Sequence, residues 1–78
     1  MNSTTTKRIA SLLQSEATRK RLSTAEVARR AGASYESTRR KLTGQGALSV
    51  DELIAYSEAV GLAPDYILSI AMSRGDAA

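Results

Sequence analysis

Glu36, Ser37, Arg39 and Arg40 lie within one short stretch, SYESTRRKLTG, from Ser34 to Gly44. A guanidinium can give two parallel hydrogen bonds to the O6 and N7 of guanine, and a carboxylate can accept from cytosine N4. On a helix lying in a major groove, this set could read base edges. Arg40, one turn beyond Glu36 and Ser37, is the first choice for guanine, with about 1–3 kcal/mol of discrimination at stake. Glu36 has two readings. It stabilises the helix N-terminus or orients Arg40 across an i to i+4 pair; alternatively it accepts from cytosine. Tyr35 either meets a thymine methyl or a phosphate, or packs against Thr24. Enzymatic chemistry is not expected. The chain has no histidine and no cysteine, so proton transfer would fall to scattered carboxylates. The adjacent Asp51 and Glu52 fit first-turn helix charges. No phosphate-cradling glycine motif or metal-ligand cluster occurs, and neither cofactor, metal nor small-molecule ligand is expected.

The elements that must position these residues are written around them. Ser23 with Glu26 has the spacing of a capping box, which starts a helix at Thr24. Val27, Ala28 and Ala31 form its inner face, and Gly32 can take the positive φ of a tight exit. Ser34 is the N-cap of a second helix from Tyr35 to about Thr43. A capped helix, a glycine turn and a second capped helix rich in arginine is an arrangement that presents a basic helix to the major groove of DNA.

On Ala28, Gly32, the Ser34 cap, Gly44 and the segment Ser49 to Leu68, the chain resembles the lambda-repressor/Cro-like, or Xre-like, family of phage and bacterial transcriptional regulators. The resemblance runs from about Leu22 to Leu68. It implies an all-α, compact five-helix DNA-binding domain with a helix-turn-helix over residues 24–43. It further implies a regulator, a repressor above all, that binds an operator as a homodimer. Thr24, Thr43, Gln45 and the backbone around Gly44 and Gly46 match positions that hold phosphate in that family, contacts that set register rather than sequence preference. The implied DNA contacts are Thr24, Ser34, Tyr35, Glu36, Ser37, Arg39, Arg40, Lys41, Thr43 and Gln45. Two positions depart from the pattern: Thr38 and Lys41 stand where the family is usually aliphatic. Lys41 is expected to snorkel, its stem on the core and its ammonium toward phosphate. The competing reading is a helical protein-binding module, an adaptor or antitoxin on the same scaffold.

Seventy-eight residues suit one domain, 1–78, with its core at about 5–72, and a core this small makes support from a partner subunit plausible. Residues 1–48 hold Lys7, Arg8, Arg19, Lys20, Arg21, Arg29, Arg30, Arg39, Arg40 and Lys41 against Glu16, Glu26 and Glu36, a balance of +7. Residues 49–78 hold Arg74 against Asp51, Glu52, Glu58, Asp65 and Asp76, a balance of −4. One half is suited to a polyanion and the other is not. With no apolar run long enough for a bilayer and no cysteine, a soluble, cytoplasmic and nucleoid-associated protein is expected, without membrane contact.

The remaining elements follow from periodicity. Met1 to Thr6 is polar, a frayed start or short arm. Ile9, Leu12, Leu13 and Ala17 mark an amphipathic helix from near Thr5 to near Lys20. A basic, acid-poor beginning also suits a transit peptide, but its removal would take a helix from a minimal core. Ser49 with Glu52 is a second capping box, for a helix with Leu53, Ile54 and Val60 inward and Gly61 at its end. Pro64 starts the fifth helix, with Tyr66, Ile67, Ile70 and Ala71 inward and Ser73 to Ala78 frayed. Leu68 and Met72 fall on a neighbouring stripe. They either extend the core edge or form a dimer contact that would hold two recognition helices about one DNA turn apart, ~34 Å.

Overall fold

A computed structural model of the protein describes the backbone of residues 3–77 and the side chains of residues 4–72. Five helices follow in order: α1 (Ser3–Arg19), α2 (Thr24–Ala31), α3 (Tyr35–Leu42), α4 (Val50–Val60) and α5 (Pro64–Ala77). No strand occurs among the described residues. The fold is all-α, as the helical periodicity predicts. Met1, Asn2 and Ala78 lie outside the described residues. The rest of the expected polar arm is helical from Ser3, and α5 continues through Ala77 where a frayed end was expected.

Side chains from every helix meet in one core. α1 gives Ile9, Leu13 and Ala17, α2 gives Val27, and α3 gives Leu42. Leu53, Tyr56, Ala59 and Val60 come from α4, and Ile67 and Ala71 from α5. α4 packs along α2, while α1 runs against α5 and touches both α3 and α4. Two inward assignments made from the sequence are corrected. Ile54 is 39% exposed and Tyr66 52% exposed, whereas Tyr56 is 1% exposed. On α4 the buried stripe is Leu53, Tyr56 and Val60, at helical i, i+3 and i+7 spacing, which places Ile54 about 100° round the helix from Leu53. On α5 the centre of the buried face is Ile67 and Ala71, both fully buried, and Tyr66 is rotated off it.

Helix ends are defined by side chains the sequence identifies. Ser23, Ser34 and Ser49 each accept from the amide three residues on. Among the described residues only α4 has the reciprocal bond of a full capping box, from the Ser49 amide to the Glu52 carboxylate at 2.9 Å. The expected box at α2 is half formed. Ser23 Oγ accepts from the Glu26 amide at 3.1 Å, but the Glu26 carboxylate is taken by Arg29 and Arg30.

Candidate nucleic-acid interface

Gly32, at φ 70, ends α2 in the left-handed region and turns the chain into α3. Ser34 caps α3 with extended backbone, φ −75 and ψ 155, and its Oγ accepts from the Ser37 amide at 3.1 Å. That bond uses a lone pair, so the hydroxyl proton of Ser34 stays free to donate.

Only Thr38 and Leu42 of α3 are buried. With one aliphatic anchor, the helix relies on polar contacts for its rotation. Thr38 is fully buried and its Oγ1 lies 3.2 Å from the Tyr56 hydroxyl. Lys41, three residues along the same face, sends its ammonium to the Ala47 carbonyl and to Glu52 Oε1, the latter at 3.1 Å. Glu52 thereby joins α3 to the head of α4, and its carboxyl is held below the usual range, first by the Ser49 amide and also by Lys41. The structure departs here from the expectation for Lys41. Its stem does lie inward, but its ammonium turns to the start of α4 and not outward toward a phosphate, because a carbonyl and a carboxylate are within reach.

The opposite face carries Glu36, Arg40 and Thr43, all exposed and spaced i, i+4 and i+7. Tyr35 is 54% exposed at the first turn, Gln45 is exposed just past the end, and Ser37, Arg39 and Thr24 are half-buried. The expected Glu36–Arg40 pair is not formed. Glu36 binds Arg39 instead, at 2.6 Å across i, i+3, and this hydrogen bond is the main reason its carboxyl lies below the usual range. The Arg40 side chain makes no hydrogen bond or close ion pair among the described residues and is exposed. Thr43 Oγ1 lies 2.9 Å and 3.0 Å from the carbonyls of Arg39 and Arg40, so its proton already serves the end of α3. A phosphate contact by this hydroxyl would require the rotor to swing.

The basic half is thus less uniformly available than its composition implies. Arg8 reaches the Ala71 carbonyl, Lys20 the Val60 carbonyl at 2.6 Å, and Arg30 the Ala59 carbonyl. Arg19 pairs with Glu16, and Arg29 with Glu26. Hydrogen bonds from these arginines hold the carboxyls of Glu16 and Glu26 at about 2. Lys7, Arg21 and Arg40 are exposed, and their side chains make no hydrogen bond or close ion pair among the described residues. A shallow groove runs beside the interface between α1 and the exit of α3. Lys7, Ser11, Gln14 and Thr18 line one wall, and Thr43 and Gly44 the other. Gly44, at φ 82, permits this close approach, since a Cβ there would stand 3.3 Å from Lys7 Cγ.

Two features that matter to the site escape sequence reasoning: Tyr56 as the partner that orients α3, and the freedom of Arg21. The first had a signal. A threonine at an inward position of α3 calls for a second hydroxyl on the facing helix.

A short capped pair of helices, the second held by its inner face and presenting a polar and cationic outer one, defines a helix-turn-helix-like regulator domain. The chain belongs to the BetR domain family, whose model matches residues 1–77. No curated protein and no solved structure matches it.

Proposed function

We propose that the protein is a sequence-specific DNA-binding transcriptional regulator that inserts α3 into the major groove and acts as a repressor by occluding its site. The observation that carries this reading is the outer face of α3. Glu36, Arg40 and Thr43 project together, and the Arg40 guanidinium, attracted to Glu36 but not bonded to it, makes no hydrogen bond or close ion pair among the described residues. The similarity to lambda-repressor/Cro-like regulators supports the same placement. In this reading Arg40 reads guanine, and Arg39, already paired with Glu36, exchanges that exposed pair for DNA at little cost, because exposed ion pairs stabilise weakly. Tyr35, Ser37, Thr24, Ser34 and Gln45 complete the contact surface.

The reading includes a homodimer. Leu68 and Met72, 37% and 60% exposed on one stripe of α5, would meet their copies across a two-fold axis and place two α3 helices on successive turns of one duplex face.

Selection of randomised DNA by the purified protein, followed by footprinting, tests both parts. The expected result is a palindromic site with half-sites about 34 Å apart. Arg40→Ala should lose about 1–3 kcal/mol on that site and relax preference at one base pair. Equal loss on selected and random DNA would move Arg40 to the backbone. Failure of the wild-type protein to enrich any sequence would favour the protein-binding module.

A further inference from the structure

Helices α1 to α4 end with the same pair of backbone hydrogen bonds. At each exit one amide donates to the carbonyl three residues back, and the next amide donates five residues back. The pairs begin at Arg21 and Leu22, Gly32 and Ala33, Gly44 and Gln45, and Gly61 and Leu62. The first residue of each pair is left-handed, with φ of 59 at Arg21, 70 at Gly32, 82 at Gly44 and 83 at Gly61. Glycine adopts this region freely, whereas in any other residue Cβ crowds the backbone carbonyl. Three exits use glycine and the first uses arginine, although the turn is the same.

The fold takes nothing visible in return. The Arg21 side chain is exposed, with no hydrogen bond or ion pair among the described residues. Its neighbours are occupied: Arg19 binds Glu16, and Lys20 binds Glu16 and the Val60 carbonyl. Arg21 follows the end of the groove wall at Thr18 and Arg19, and that groove reaches Thr43 and Gly44 at the exit of α3 without a carboxylate in its lining. A polyanionic strand lying beside α3 would meet hydrogen-bond donors along α1 and then the free guanidinium.

We infer that Arg21 binds the sugar-phosphate backbone of DNA on the strand flanking the groove that receives α3, and that the backbone strain at this position is kept for that contact. The inference rests on the DNA-binding reading and adds a contact to it. Strain retained in a fold belongs where a function needs the side chain.

Two variants separate strain from charge. Arg21→Gly removes both, and Arg21→Ala removes the charge but keeps the left-handed Cβ. Both should weaken operator and random DNA alike, by about fivefold at 0.15 M salt, and lower the slope of log K against log salt by about one. Arg21→Gly should also melt a few degrees higher than the wild type and Arg21→Ala. An unchanged salt slope in both variants, with the wild type still selecting its site, overturns this inference alone. Absence of DNA binding by the wild type removes it together with the functional reading. A glycine variant no more stable than the alanine variant overturns the claim that strain is being retained.

Discussion

α3 and α4 face each other across the Thr38–Tyr56 hydroxyl pair, and they are anchored in opposite ways. α4 buries Leu53, Tyr56, Ser57, Ala59 and Val60, begins with a complete capping box and ends on a left-handed glycine. α3 buries Thr38 and Leu42, and its inner face is completed by the Lys41 ammonium reaching the head of α4. One helix is held by apolar area and the other by a few directional contacts. Apolar burial tolerates small rotations, whereas hydrogen bonds weaken steeply as they bend. A helix held mainly by such bonds has its azimuth fixed while most of its circumference stays free for another molecule.

The contrast can be broken most severely from the α4 side. Tyr56→Ala removes a fully buried aromatic ring and the hydroxyl that partners Thr38. It should cost about 3–5 kcal/mol by denaturant titration, a large share of the stability of so small a domain. A loss under 1 kcal/mol would mean that α3 and α4 are not joined through this ring.

A finer cut tests the hydroxyl pair itself. Thr38→Val leaves the Tyr56 hydroxyl buried beside a methyl group and should cost about 1–2 kcal/mol, while Thr38→Val with Tyr56→Phe should recover most of that loss. Without Tyr56 in view, Thr38→Val alone would be expected to stabilise. The facing hydroxyl reverses the sign. Additive losses in the double variant would show that the two groups do not pair.

The smallest effect belongs to α4. Ser57 is fully buried and its Oγ has no hydrogen-bond partner among the described residues. Ser57→Ala should raise stability by about 0.5–1 kcal/mol in the same titration, since an unsatisfied hydroxyl is removed and alanine is the better helix former. A loss there would mean that the hydroxyl finds a partner in solution.

Local signals in the sequence read well. Ser23, Ser34 and Ser49 cap the helices they precede, and Gly32 and Gly61 end the helices they follow, because each acts within a single turn. Which stripe of α4 faces inward was less legible. Leu53, Ile54, Ala55, Tyr56, Ala59 and Val60 spread apolar character round much of that helix, so α2 and α1 packing against it decide between Ile54 and Tyr56. The exposed position of Tyr66 on α5 is hidden from the sequence for the same reason. Within the candidate interface, the outer positions of α3 followed from helical spacing, but the choice of Arg39 over Arg40 by Glu36 depends on rotamers that spacing does not set. The ammonium of Lys41 was directed by Ala47 and Glu52, residues across a turn whose path no local motif specifies. Arg21 gave no sign at all, because an arginine in a left-handed turn looks like any other surface arginine until its backbone is seen.

The three lysines of the chain occupy three different chemical situations. Lys7 stands exposed and unbound, the Lys20 side chain is 34% exposed on the Val60 carbonyl, and the Lys41 side chain is 15% exposed between α3 and α4. An amine-selective acylating reagent, which is attacked only by an amine that is accessible and released from its partners, would therefore label the lysines of the folded protein in order, Lys7 first and Lys41 last. Because acylation of Lys41 requires its ammonium to leave Glu52, the labelling rate at that one residue is a clock for the loosening of α3 from α4.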